Sequence, residues 1–398
     1  MDPHINVVIR SAHGDRTLSA RPEESMVDLC RRHELPATQM TAYLRGGAGD
    51  LELVVSPLAP LDTYLGDRQL ILFPNRNLNY FGLLGGDHIV HERPGASAWL
   101  RTRQHGPGDD RFVTEYLTPE QARTLVTSQV AEALRVAAIT DEPLVVGVSG
   151  GGDSNALLGA IVESGLVSRG NIHPVMMLGI PDWDKGIERA EAICSEHQLV
   201  LRRVEERETA GILGFADPDR DWVSAFERLF PEDDLEVLGV YGVRRVLQSV
   251  AAECGARRVV IGTNLEDCLA DALYCLARGK VPFPKPAGPI GEIDIVCPLW
   301  LSPKALIDGC YPKYSRENYE ARYPSRMIGR AYYYYLAQML GDAYPGAAQE
   351  ILRGTSQLSR QHFEPLCHDR EFDTPMMAEM PFDVRLKLRG LFGAPSHV

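Results

Sequence analysis

Gly147-Val148-Ser149-Gly150-Gly151-Gly152-Asp153-Ser154 is the stretch on which the reading of this chain turns. Leu144-Val145-Val146, just before it, reads as a buried strand. Asn155-Ala156-Leu157-Leu158-Gly159-Ala160-Ile161-Val162, just after it, reads as a helix with an apolar face. A glycine-rich turn between strand and helix leaves backbone N–H groups at the positive end of the helix dipole, a geometry that binds phosphate. The hydroxyls of Ser149 and Ser154 add donors.

Several loops share this strand–turn–helix outline. The Walker-type phosphate loop is rejected, because no Gly-Lys-Ser/Thr follows at its spacing. Gly147, Ser149 and Gly151 fit the nucleophile elbow G-x-S-x-G. That reading needs a later histidine, for which His173, His197, His362, His368 and His397 are available, and no HGGG-type segment precedes it. An ordinary glycine turn is the bland alternative. The favoured reading is a pyrophosphate-binding loop. Ser149-Gly150-Gly151-Gly152-Asp153-Ser154 resembles the S-G-G-x-D-S signature of the PP-loop ATP pyrophosphatase superfamily, whose members cleave ATP between the α and β phosphates.

Around this loop, strand and helix patterns alternate. Thr118-Pro119-Glu120-Gln121 is a helix start with an N-cap threonine, a first-turn proline and a glutamine three residues after the cap. Strands are expected at 144–146, 175–178, 199–204 and 257–261, and helices at 183–197 and 236–254. Such alternation predicts an α/β fold, a doubly wound parallel sheet with helices on both faces. Ligands in such sheets sit beyond the carboxyl ends of the strands.

A second constellation, Gly262-Thr263-Asn264-Leu265-Glu266-Asp267, begins where the last of these strands ends. Two acids at a strand-to-helix turn can hold Mg²⁺ against phosphates, or can simply cap the helix. The segment resembles the G-x-N-x-D-D element of the tRNA-thiolating branch of the PP-loop enzymes, with Glu266 in place of the first aspartate. Ile295-Val296-Cys297-Pro298-Leu299 resembles that branch's later Pro-Leu segment, and the likeness spans roughly residues 143–330. It implies an adenine nucleotide α-hydrolase-like domain that uses ATP and Mg²⁺. ATP would be bound by Ser149, Gly150, Gly151, Gly152, Asp153, Ser154, Met177, Leu178, Gly262 and Asn264. Asp153 and Asp267 would hold the metal, and Asp267, Asp153 and Arg245 would act in catalysis.

The chain also departs from that branch. Where the thiolating enzymes carry a CxxC for an iron–sulfur cluster, this helix reads Leu238-Gly239-Val240-Tyr241-Gly242-Val243-Arg244-Arg245. Cys310 stands near the third expected cysteine, and one thiol does not hold a cluster. Cys367-His368 lacks a partner pair for zinc. Neither group is therefore expected. Gly152 occupies the loop position where many relatives carry lysine, so a positive phosphate contact is missing. Arg316, Arg322, Arg326 and Arg330 accompany Tyr332-Tyr333-Tyr334-Tyr335, an arrangement read as a packed helix with charged flanks.

The N-terminal stretch to about residue 80 reads as a separate ββαββ unit, a pattern resembling the β-grasp (ubiquitin-like) fold. Gly85-Gly86 follow it, but the terminal carboxylate of a sulfur carrier would be absent there, so a linker is expected over 81–117. The nucleotide domain is expected over 118–345 and a helical extension over 346–398. The 398 residues are 44% hydrophobic and 24% charged, with a formal charge of −13, which argues against RNA as substrate. No apolar run reaches membrane-spanning length, no secretory signal is visible, and eight cysteines include no CxxC. A cytoplasmic enzyme is expected, acting on a small-molecule or carrier-bound substrate. A protein partner would meet the N-terminal unit, and a homodimer is in keeping with relatives. tRNA thiolation and a catalytically silent nucleotide-binding regulator stand as alternatives.

Overall fold

The decisive strand and helix both form in the computed structural model of the chain, with the glycine turn between them. The structure describes residues 5–11, 14–33, 35, 37, 40–54, 56–74, 88–105, 110–215, 224, 235–277, 279–290, 293–321, 328–343, 345–362, 367–369, 374–376, 386 and 389. Gly85-Gly86, Arg322 and Arg326 lie outside them. The chain divides into two compact units, one of residues 1–92, 101–115 and 339–347, the other of 93–100, 116–338 and 348–398.

In the first unit, β1 (Ile5–Ser11) and β2 (Gly14–Ala20) pair antiparallel, and α1 (Met26–Arg32) follows. Strands β3 (Met40–Arg45), β4 (Leu51–Leu53) and β5 (Gln69–Pro74) complete a five-stranded sheet in the order β2-β1-β5-β3-β4. The pairing of β1 with β5 is parallel and the rest of the described pairs are antiparallel. Alternation drives this: Val7, Ile9, Leu18, Ala42, Leu44, Leu70 and Leu72 point to one side, against Met26, Leu29 and Cys30 of α1. Ser25 caps α1, its hydroxyl accepting from the Asp28 N–H at 3.1 Å.

The stretch expected as a linker holds β6 (His88–His91), β7 (Ala98–His105) and β8 (Asp110–Leu117), a three-stranded sheet in the order β6-β8-β7. Pro94-Gly95 forms the turn between β6 and β7, and the strands themselves are only partly apolar, which hid them.

The second unit opens with α2 (Pro119–Val136), started by the Thr118–Gln121 capping box. Then come β9 (Leu144–Gly147), α3 (Gly152–Ser164), β10 (Ile172–Met177), α4 (Pro181–Asp184), α5 (Ile187–Glu196), β11 (Arg202–Val204), α6 (Glu206–Leu213), α7 (Leu235–Cys254) and β12 (Arg258–Val260). After these lie α8 (Leu265–Leu276), β13 (Ala287–Ile290), β14 (Ile293–Val296), α9 (Lys304–Asp308), α10 (Pro312–Ala321), α11 (Ile328–Ala343) and α12 (Ala347–His362). The C-terminal stretch is not helical throughout: β15 (Cys367–Asp369) and β16 (Thr374–Met376) pair antiparallel after α12.

Six strands form one sheet in the order β11-β10-β9-β12-β14-β13, parallel except for the last pair. Leu144, Val146, Ile172 and Met176 pack toward α2, α3, α5, α9 and α10, whereas Val145, Val175, Met177 and Val259 pack toward α6 and α7. Both faces are covered, which is why these strands are apolar at nearly every position. From β9 the chain first moves to β10 and β11, then returns to the other side of β9 with β12. The order therefore reverses between β9 and β12. The loops leaving these two strands lie at that switch point, the usual ligand position in such sheets.

One expected helix is split. Residues 183–197 form α4 and α5, separated at Lys185-Gly186. A β-carbon on Gly186 would stand 2.2 Å from the Ser149 carbonyl oxygen, so the break lets bare backbone press against the glycine loop.

Candidate functional site

The site begins at the end of β9. Gly150 has φ +72°, left-handed backbone that glycine adopts without strain. Gly151 is the N-cap of α3, in extended conformation. The turn is knitted by its own hydroxyls. Ser149 N–H donates to Ser154 Oγ at 3.1 Å, and Ser154 Oγ–H donates to the Gly151 carbonyl at 3.1 Å. The Gly151 N–H lies 3.4 Å from Ser149 Oγ. Among the described residues, the N–H groups of Gly150, Gly152 and Asp153 have no acceptor. Those of Gly152 and Asp153 are orphan donors of the first turn of α3, where an anion is favoured, and Gly150 lies just before its N-cap.

Three glycines here lie close against their neighbours. A β-carbon on Gly150 would meet the Gly186 carbonyl oxygen at 2.2 Å. One on Gly152 would meet Ser315 Oγ of α10 at 2.6 Å and Asp308 Oδ1 of α9 at 3.0 Å. One on Gly262 would come within 3.2 Å of the Asp153 carbonyl carbon and the Ser154 nitrogen. The segment after β12 thus touches the loop after β9.

Asn264 makes that junction polar. Its Oδ1 accepts from the Asp267 N–H at 2.9 Å, and Asp267 Oδ2 accepts from the Asn264 N–H at 3.3 Å, a capping box that starts α8. Its Nδ2 reaches Asp153 Oδ1 at 3.4 Å. Asp153 and Asp267 are therefore bracketed by one asparagine, and Asp267 has a helix-capping role in addition to any other. The neighbouring Glu266 accepts from the Lys304 backbone N–H at 2.9 Å. Burial raises the Glu266 carboxyl above its ordinary value, and the Asp153 charge adds to this.

Lys304 is the residue that sequence reasoning missed. It opens α9, and its Nζ lies 3.1 Å from both Asp153 oxygens and 2.9 Å from Asp308 Oδ1. Burial opposes its charge, but Asp153 and Asp308 outweigh that and hold it protonated well above the ordinary lysine range. The positive group absent at Gly152 is thus present beside the loop, delivered from a different element. The available signal was Pro298-Leu299, already singled out, with a lysine at the next helix start. Tyr334, from the tyrosine run, also belongs here. Burial and the charges of Asp267, Glu266 and Asp153 raise its hydroxyl above the ordinary tyrosine value. Tyr332 and Tyr335 are exposed, so the run does face several sides of its helix.

Other expected residues lie further along the same edge or elsewhere. Met177 and Leu178 end β10 and are buried. The Leu178 N–H is used by the Val204 carbonyl at 2.9 Å, and the Gly179 N–H donates to the Asp184 carboxylate at 3.2 Å. Arg245 lies on α7 with a terminal nitrogen 3.5 Å from the Ile212 carbonyl of α6, while Arg244 is exposed. Cys310 is buried, its Sγ 3.5 Å from the Leu306 carbonyl, and burial pushes its thiol up to about 12. Among the described residues no three His, Cys, Asp or Glu side chains gather closely enough to hold a metal ion by themselves.

No family model matches the sequence, and no curated protein matches it. Among solved structures, the chain is similar to a U34-tRNA thiolase, NcsA, from Methanococcus maripaludis with its [4Fe-4S] cluster. The identity is 19% and the TM-score 0.49, covering 68% of this chain and 88% of that one. It is also similar to an NH3-dependent NAD synthetase from Campylobacter jejuni in complex with the nitrate ion, at 15% identity and TM-score 0.35, covering 63% of this chain and 99% of that one.

Proposed function

We propose that this chain is a PP-loop ATP pyrophosphatase that adenylates a substrate oxygen and passes the activated group to a nitrogen or sulfur nucleophile. The observation that carries the reading is the set of N–H groups at Gly150, Gly152 and Asp153 that have no acceptor among the described residues, beside the Lys304 ammonium, at the switch point of a parallel sheet. Buried backbone donors are rarely left unmatched in folded proteins, so an anionic ligand supplies their acceptors.

ATP lies with its phosphates on this turn, flanked by the Ser149 and Ser154 hydroxyls, and its base near Met177 to Gly179. Hard carboxylate oxygens at Asp153 and Asp267 suit Mg²⁺, which takes one or two carboxylates and fills its shell with phosphate oxygens and water. When bound, the ion supplies charge neutralisation on the phosphates. The substrate carbonyl or carboxylate oxygen forms a bond to the α phosphorus. The bond from that phosphorus to the α–β bridging oxygen breaks, and its electron pair leaves with pyrophosphate. Lys304 and the loop N–H groups face the charge that grows there and need no reorganisation to do so. In the second step the nucleophile bonds to the activated carbon, AMP departs with the C–O electrons, and the nucleophile's proton goes to water.

The acidic net charge favours a small-molecule or carrier-bound substrate over a polynucleotide. The N-terminal five-stranded sheet, which we read as a β-grasp domain, is the element we assign to partner recruitment. Isotope exchange between pyrophosphate and ATP in the presence of candidate carboxylates tests the first step. Label entering ATP supports it, and exchange that stays at background with every acid tried, while ADP accumulates, argues for a different cleavage.

A further inference from the structure

A second cation touches the same turn. Arg189, on the first turn of α5, donates from Nε to the Gly150 carbonyl at 3.0 Å. That is its one hydrogen bond, and no ion pair accompanies it among the described residues. A guanidinium carries five N–H donors in a rigid fork. One is spent on the loop, and the four on the terminal nitrogens have no acceptor among the described residues. The side chain is half-buried. Glu188 beside it is exposed, and Glu191 is engaged by Arg203 at 3.2 Å.

The neighbouring backbone makes this placement rigid. Gly186 and Ser149 are in van der Waals contact, and the Ala190 N–H lies 3.1 Å from where a Gly150 β-carbon would stand. The first turn of α5 is therefore pressed onto the loop, and the guanidinium rides on it. A partly desolvated guanidinium without a counter-anion is costly, and the fork matches phosphate or carboxylate oxygens in pairs.

On the ATP reading above, we infer that Arg189 binds the phosphate chain of the nucleotide with its terminal nitrogens while its Nε holds the Gly150 carbonyl. The cradle then has two cations brought from different elements, Lys304 from α9 and Arg189 from α5. Neither belongs to the glycine signature itself. Arg189 also couples loop shape to charge: the same guanidinium that orients the Gly150 peptide meets the ligand.

Calorimetric titration of the full chain with ATP and, separately, with adenosine tests this. Arg189→Gln keeps an N–H donor for Gly150 but removes the charge, and Arg189→Lys keeps the charge but not the fork. The expected result is ATP affinity at least tenfold weaker in Arg189→Gln, an intermediate loss in Arg189→Lys, and adenosine affinity unchanged in both. The loss in Arg189→Gln shrinks as salt is raised, because it is electrostatic. Equal weakening toward ATP and adenosine would mean that Arg189 only braces the fold of the loop, and would overturn the assignment. Undiminished ATP affinity in Arg189→Gln would overturn it as well. Failure of the unaltered protein to bind ATP at all would remove the ATP reading itself, an outcome distinct from either of these.

Discussion

Gly150 combines a left-handed backbone with the Gly186 carbonyl oxygen 2.2 Å from its missing β-carbon, so it is doubly intolerant of a side chain. Gly150→Ala is expected to cost about 1–3 kcal/mol from backbone strain alone. The steric push on Gly186 adds to this and opens the turn. ATP binding measured by calorimetry should fall below detection while circular dichroism still shows a folded protein; retained affinity would show that the turn is not the cradle. Lys304→Met is expected to slow pyrophosphate exchange on the order of 10²-fold, the usual cost of one preorganised donor. Asp267→Asn separates two roles, because an amide oxygen can still accept from the Asn264 N–H while the charge is gone. Turnover should collapse with little change in thermal stability, and a large drop in melting temperature with normal turnover would identify Asp267 as a cap only. The glycines and Asp153 were legible because they crowd into one short motif. Lys304 and Arg189 were not, since each reaches the loop across the fold from a helix whose own sequence is unremarkable.

At the scale of elements, Lys285 links four pieces of structure. Its N–H donates to Ser356 Oγ at 3.0 Å and its carbonyl accepts from Arg360 at 2.8 Å, both on α12. Its Nζ lies 3.4 Å from Cys297 Sγ just after β14, and Cys297 shares a hydrogen bond with Cys268 of α8. That bond and the Lys285 charge outweigh burial and hold the Cys297 thiol well below its ordinary value. A depressed acid contributes stability that is present above the unfolded thiol value, ~8.5, and is lost as pH falls through the lowered value of the folded state. A thiolate absorbance is therefore expected in the folded protein at pH 7, absent in Cys297→Ser and lost on unfolding at the same pH. Absorbance that rises only in the alkaline range would contradict the ion pair. The alternation of strand and helix was readable because the central strands β9, β10 and β12 are apolar on both faces. The break between α4 and α5 was not, because only the approach of Gly186 to Ser149 explains it. The three strands within 88–117 were masked by turn-forming residues around them.

For the whole molecule, the N-terminal sheet encloses its own apolar centre, with Val7, Ile9, Leu29, Leu70 and Leu72 all fully buried. Residues 1–80 expressed alone are expected to unfold in one cooperative transition, and a featureless melt would show that this unit borrows its stability. The alternation of strands and helices after residue 118 was visible from periodicity, but strand adjacency was not, because it depends on which side of β9 the chain returns to. That return brings the two loops together at Gly262 and Asp153, and ATP is expected to be split there between its α and β phosphates. The most direct measurement is product analysis after incubation with ATP, Mg²⁺ and a carboxylate that supports exchange. AMP and pyrophosphate in equal amounts are expected, both abolished by Gly150→Ala, whereas ADP and orthophosphate as the products would contradict cleavage between the α and β phosphates.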